Sequence, residues 1–314
     1  MLTVPVNPMH RRAFLFGSAA SVLAAAPSAR PKIDAHVHLF ANDQARFPYH
    51  PSGTYRPAAA PLEDYNAFVR KAQTIAHTVI VHPEPYQDDH RYLEYCFANE
   101  PWPGFFKGTC LFDPTSADTP SRMADLVAKN RGRIVALRIH ENRESGVPPT
   151  TSGPIRDRDL KHPNVRVTWR KAHDLGLAIQ MHMIPLHAPE VAALAKELSN
   201  TPVIIDHLSR AGQGTPEQYD RVLAMSKLGN VWMKFSGVNY SSKQPSPHRD
   251  AKPLVRKTFD AFGPDRMIWG GVGMNMADFE RNCAMFDELL DFASEADRRK
   301  ISSGTAARLF KFSG

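Results

Sequence analysis

A chain of 314 residues with 42% hydrophobic and 23% charged residues can bury a large core, either as one α/β barrel or as two ordinary domains. The net charge of +7 is spread along the chain with no Lys/Arg run, which argues against a nucleic-acid arm and suits a small anionic ligand. The 3 cysteines, Cys96, Cys110 and Cys283, are odd in number and form no C-x-x-C pair, which excludes a disulfide framework and leaves buried packing as their reading.

The chain opens with His10-Arg11-Arg12-Ala13-Phe14-Leu15, followed by an apolar, Ala-rich run from Phe16 to Ala26. A charged start, a short apolar stretch and small residues describe a signal peptide over residues 1–29. Adjacent arginines ahead of x-Phe-Leu point to the twin-arginine route, with an ordinary Sec signal or an amphipathic start as the alternatives. Cleavage after Ala26, Ser28 or Ala29 fits equally. The expected location is the periplasm or another exported compartment, with the twin-arginine machinery as partner during transport. No stretch approaches the ~20 apolar residues of a membrane span.

Residues 30–314 then alternate short β-branched runs with segments of helical period. Strands are expected at Ile33–His38, His77–His82, Phe105–Leu111, Arg133–His140, Leu177–Met183, Pro202–His207, Val231–Ser236 and Arg266–Gly270. Helices are expected near Leu62–Ile75, Asp89–Asn99, Pro120–Asn130, Val165–Leu175, Pro189–Leu198, Pro216–Leu228, Ala251–Phe262 and Asp278–Ala293, with an amphipathic tail at Ala306–Phe310. This order predicts a single-domain α/β fold, a (β/α)8 TIM barrel. A doubly wound sheet also alternates, but no Gly-rich phosphate loop follows the first strand. Three long connections, Ala41–Pro61, Glu141–Lys161 and Gly237–Lys252, follow the first, fourth and seventh strands. In a barrel all three lie on the C-terminal face, where chemistry is placed.

Histidines gather at the ends of these strands: His36 and His38 on the first, His82 on the second, His140 on the fourth, His182 on the fifth and His207 on the sixth. Alternation puts Asp34, His36 and His38 on one side of their strand, so two imidazoles can converge on one divalent ion. A pair of packed histidines is the bland reading of that motif alone; scatter would seldom place so many of 14 histidines at strand ends. Arg138 and His140 share parity and point together into the mouth. His77, His162 and His187 read as solvated or capping.

The chain resembles the amidohydrolase superfamily, in its amidohydrolase-related branch with lactonases that open fuconolactone and pyrone-dicarboxylate rings. The resemblance runs from Ile33 to Phe310. It rests on Ile33-Asp34-Ala35-His36-Val37-His38, Gln180-Met181-His182, Ile205-Asp206-His207-Leu208, Met233-Lys234-Phe235-Ser236-Gly237 and Arg266-Met267-Ile268-Trp269-Gly270. It implies that His36, His38 and His182 hold one divalent metal, expected to be zinc, and that His207 faces the metal-bound water or the substrate carbonyl. Arg210 stands where relatives grip a substrate carboxylate. Arg138, His140, Lys234 and His82 complete the expected substrate-binding set. Arg138 occupies the place of the bridging lysine of binuclear relatives, which argues for a mononuclear site.

Two positions depart from the family pattern. Where the family reads Trp-Gly-Ser-Asp, this chain reads Trp269-Gly270-Gly271-Val272, so Val272 replaces the aspartate that takes a proton from the attacking water. Gly304-Thr305-Ala306 replaces the usual Gly-Asn-Ala. The expected function is hydrolysis of a small carboxylated lactone or related cyclic ester. A metal-dependent decarboxylase of the same branch and a ligand-binding barrel without turnover are the alternatives.

Overall fold

The computed structural model describes residues 32–271 and 275–312; the export-signal reading over residues 1–29 and the substituted position Val272 lie outside them. Eight strands form one parallel sheet in chain order: β1 Lys32–Val37, β2 Ile75–Val81, β3 Phe106–Leu111, β4 Ile134–Glu141, β5 Ala178–Met183, β6 Val203–Ile205, β7 Val231–Phe235 and β8 Met267–Trp269. Each strand but the last is followed by a helix that returns the chain to the bottom of the sheet: α1 Leu62–Ala72, α2 Arg91–Ala98, α3 Thr119–Lys129, α4 Pro163–Asp174, α5 Ala188–Glu197, α6 Pro216–Ala224 and α7 Lys252–Phe262. After β8 come α8 Met276–Leu289, α9 Glu295–Arg299 and α10 Thr305–Phe310. The predicted (β/α)8 order holds. Among the described residues no helix is long and apolar enough to cross a membrane.

Two apolar layers account for the architecture. The larger lies between strands and helices and includes Val37, Leu137, Trp169, Phe235, Trp269 and Phe286. The smaller fills the barrel: Ile33, Ala35, Val79, Ala136, Ala178, Ile204 and Ile268, plugged from below by Ala306, Phe310 and Phe312 of the tail. Polar side chains therefore reach the axis only above this plug, at the C-terminal ends of the strands. α4 starts where the His162 ring accepts the Asn164 N–H, the capping role expected of it. His187 is not solvated: it is buried, with Nε2 3.3 Å from Glu141.

β1 and β8 meet at a seam joined by a side chain. One Asp34 carboxylate oxygen accepts the N–H of Gly271 at 2.8 Å and that of His36 at 3.0 Å. Gly270 allows this approach, because a Cβ there would stand 2.7 Å from the His36 Cβ. The expectation that Asp34 shares a face with His36 and His38 is overturned here. Ile33 and Ala35 share the barrel interior, which leaves Asp34 facing the seam with β8, and the register of β1 slips between Asp34 and Val37, which turns His36 onto the interior side. One extra residue in the pairing reverses the face of everything beyond it.

Candidate active site

The rim of the barrel is lined by imidazoles in contact. His36 and His38 place their Nε2 atoms 3.2 Å apart. The His36 and His207 rings are 4.5 Å apart, His207 and His182 5.2 Å, and His182 and His140 5.0 Å. His38 is oriented by donating from Nδ1 to the Val81 carbonyl at 2.7 Å, which turns a lone pair at Nε2 towards His36. Both ring nitrogens of His182, Nδ1 of His36 and Nε2 of His140 are buried without a partner.

These rings are neutral. Burial pushes the pKa of His38 down to about 3, with Arg138 adding to it, and that of His207 down to about 3 against the opposing pull of Asp206. Burial also lowers His36, His140 and His182 well below the usual imidazole value. Unprotonated imidazoles with unshared lone pairs are the donor chemistry that divalent zinc or a similar ion takes.

Beneath the rings lies a fully buried ionic group. Asp206 accepts from Arg138 Nε and Gln180 Nε2, both at 3.0 Å, and stands 3.0 Å from the ammonium of Lys234. Burial alone would raise the pKa of Asp206, but Lys234 and Arg138 more than reverse that and keep it ionised. Lys234 has 0% exposure, so it sits below the floor of the mouth and touches Asp206. Among the described residues, the trio whose ligand atoms all lie within 4.8 Å of one another is His36, Asp206 and His207. It differs from the trio His36, His38 and His182 that the resemblance implies.

The remaining expected residues divide. Arg138 and His140 do point into the mouth, though Arg138 is committed to Asp206. Arg210 lies half-buried over the face of Tyr240, 4.2 Å from the ring centre, and Tyr240 is in turn 5.5 Å from His207. Its Nε is buried without a partner, its Nη1 donates to Asn142 Oδ1 at 3.4 Å, and Asp157 acts on it as a more distant negative charge. By contrast, the nearby guanidinium of Arg143 is paired with Glu141 and that of Arg158 lies 3.3 Å from Asp113. His82 stands apart from the cluster: its Nε2 meets the Gln87 carbonyl at 3.0 Å and its ring packs 4.4 Å from His90.

A family model described as Amidohydrolase matches residues 33–312. The chain belongs to the amidohydrolase family. This amidohydrolase is 26% identical over 289 residues to a 4-sulfomuconolactone hydrolase of Hydrogenophaga intermedia, covering 88% of each chain. It is 25% identical over 299 residues to the L-fucono-1,5-lactonase of Burkholderia ambifaria, covering 89% of this chain and 95% of that one. Among solved structures, a probable 2-pyrone-4,6-dicarboxylic acid hydrolase from Acinetobacter baumannii with citric acid bound superposes with a TM-score of 0.71 at 19% identity, covering 90% of this chain and 99% of that one. A zinc-bound amidohydrolase from Burkholderia multivorans does so with a TM-score of 0.67 at 17% identity, covering 90% and 100%. The two structures speak for the shared fold. With the family and the lactone-hydrolysing relatives together, this amidohydrolase is an enzyme of the hydrolase class.

Proposed function

We propose that this amidohydrolase opens a small lactone bearing a carboxylate or sulfonate, by attack of water on the ring carbonyl. The observation that carries the reading is the placement of Arg210, an arginine that forms no ion pair within 4 Å among the described residues, one aromatic ring away from His207. A guanidinium held by stacking and outside any close ion pair is a receptor for a carboxylate or sulfonate, two of whose oxygens it can bind through parallel hydrogen bonds. The summed separations through Tyr240 put it no more than about 10 Å from His207, so anion and carbonyl belong to one small ring.

The imidazole cluster supplies the other half. His36, with His38 and His182 or with Asp206 and His207, is the set that would hold one divalent ion. The neutral rings and their orphaned nitrogens fit it. Such an ion, when bound, polarises the carbonyl and lowers the pKa of water to ~7. His207 rests neutral, so its part would be to take the proton from the attacking water as the new C–O bond forms and hand it to the ring oxygen as the ring C–O bond breaks. Loss of a strong general base, as Val272 brings, costs ~10²–10⁴ in rate; an activated lactone tolerates this better than an amide. The same position favours the second reading, a barrel that binds its ligand without turnover.

The test uses the whole chain. Bound metal is measured, and proton release is followed with 4-sulfomuconolactone, 2-pyrone-4,6-dicarboxylate and L-fucono-1,5-lactone, for wild type, Arg210→Gln and Val272→Asp. Hydrolysis of an anionic lactone by wild type, with KM raised roughly ten- to hundred-fold in Arg210→Gln, is expected. Turnover gained only in Val272→Asp would establish the binder, and carbon dioxide released from an aromatic acid would establish the decarboxylase. The export reading belongs to the same proposal: Arg11→Lys with Arg12→Lys should leave the chain in the cytoplasm.

A further inference from the structure

His207 enters the site from a costly backbone. It and the next three residues, Leu208, Ser209 and Arg210, have φ of +55°, +51°, +55° and +51°. L residues adopt this left-handed turn at ~1–2 kcal/mol each, so something must hold it. Ser209 N–H donates to the Asp206 carbonyl at 2.8 Å within the turn, and Leu208 is buried. The ring of His207 is held from β7. Gly237, itself at φ +53°, lies so close that a Cβ there would stand 2.5 Å from the His207 Nδ1 and 2.7 Å from its Cγ. Ser236, one residue earlier and buried, has its Oγ 2.8 Å from the same Nδ1.

The Nδ1 edge of the imidazole is thus sealed against β7, and the opposite edge, Nε2, faces away from that strand. Two hydrogen placements satisfy the contact. Ser236 can donate into an Nδ1 lone pair, leaving N–H at Nε2, or it can accept from Nδ1–H, leaving a lone pair at Nε2. The surroundings choose between them. Asp206, Arg138 and Lys234 all act on this ring, and two cations against one carboxylate leave its surroundings net positive, while the neutral His38 adds no charge. A site rich in cationic donors is met better by a lone pair than by another N–H.

We propose that Ser236 is a positioning residue: its hydroxyl accepts from Nδ1–H of His207 and so presents an Nε2 lone pair to the reacting water. Ser236 does not touch the substrate in this reading; it sets which nitrogen of His207 carries the hydrogen. The kinetic part rests on the proposed lactonase activity, whereas the tautomer stands independently of it.

The experiment is nitrogen NMR on the full chain labelled with ¹⁵N-histidine, stripped of metal, with His207→Gln used to assign the ring. Imidazole free in water prefers the Nε2–H form. Wild type should show His207 in the Nδ1–H form, and Ser236→Ala should shift it towards Nε2–H. An Nε2–H ring in wild type overturns the proposal whether or not the variant folds, and so does a spectrum unchanged in folded Ser236→Ala. With a lactone that wild type hydrolyses, kcat should fall on the order of five- to ten-fold in Ser236→Ala with KM within two-fold. An unchanged kcat overturns the positioning role. A wild type that opens no lactone sinks the proposed function and leaves the NMR result to decide the tautomer.

Discussion

Asp206→Asn is the sharpest probe of what holds the site together. The carboxylate has 0% exposure and is the acid that both Arg138 and Lys234 contact, each at 3.0 Å. Asparagine keeps the shape and can still accept from Gln180, but it removes the charge and leaves two buried cations facing each other. Breaking a buried ion pair by neutralising one partner costs ~3–5 kcal/mol. Lys234 can relieve part of this by releasing its proton, since burial already lowers its pKa against the pull of Asp206. A net loss of about 3 kcal/mol remains, which in a chain of this size lowers the thermal midpoint by roughly 6–12 °C. The measurement is a melt of metal-stripped protein, for Asp206→Asn, Lys234→Met and the double variant. Because the double variant removes one of the two stranded cations, it should melt no lower than Asp206→Asn alone. A midpoint within 2 °C (roughly 0.5–1 kcal/mol by the same scaling) of wild type for Asp206→Asn, or strict additivity in the double variant, would refute the reasoning.

Acid should destabilise the fold before it protonates the site. His38 and His207 stay neutral in the folded state down to about 3. In the unfolded chain each takes a proton below ~6.5, so stability falls as pH drops from there, by about 2 kcal/mol per histidine at pH 5. Denaturant midpoints that hold constant from pH 7.5 to pH 5 would contradict this. Gly237→Ala forces a side chain into the space of the His207 ring from a left-handed residue. It should cost ~1–2 kcal/mol of stability and, by displacing the imidazole, on the order of 10²-fold in kcat; a variant with wild-type turnover would show that the ring has room to move. Tyr240→Leu removes the face that holds Arg210, an interaction of ~0.5–2 kcal/mol, so KM for an anionic lactone should rise about two- to thirty-fold while that for a neutral lactone stays put. Equal changes for both would mean that the ring contacts substrate directly.

Much of the fold is legible from the chain because two periodicities alternate without interruption. The short apolar runs ending in His38, His140 and His182 mark strands whose C-terminal ends share a rim, and the structure gathers those rings with His207. What escapes the sequence is geometry that depends on neighbours. The slip in β1 that parts the face of Asp34 from that of His36 is set by pairing with β2, and Ile33-Asp34-Ala35-His36 carries no glycine to announce it. The left-handed turn at 207–210 likewise lacks a glycine. Asp206 reads as one letter of a strand motif, yet it becomes the hub of an ionic group because Arg138, Gln180 and Lys234 arrive from three other strands. Tyr240 offers no signal beyond its place three residues after Gly237. His82 stands at a strand end like the other expected substrate-binding residues, but its contacts are the Gln87 carbonyl and the ring of His90.

Charge ties these features into one picture. The ionic group under the rings holds two cations against one carboxylate, and Arg210 adds a third positive charge at the mouth. The five rim imidazoles contribute none, since burial keeps them neutral. A neutral substrate would leave that excess uncompensated in a space from which water is largely excluded, where an unpaired charge is expensive. An anionic ring substituent offsets it at Arg210, and negative charge growing on the attacked carbonyl oxygen offsets it further, above Arg138 and Lys234. Under the proposed function, the field of the site would favour the charged substrate on binding and the oxyanion during reaction, which is stabilisation aimed at the transition state. Under that same proposal, a site balanced in this way would depend less on an acidic residue at position 272 than one whose cations are already matched, so hydrolysis by the wild-type chain with its Val272 is the expected result.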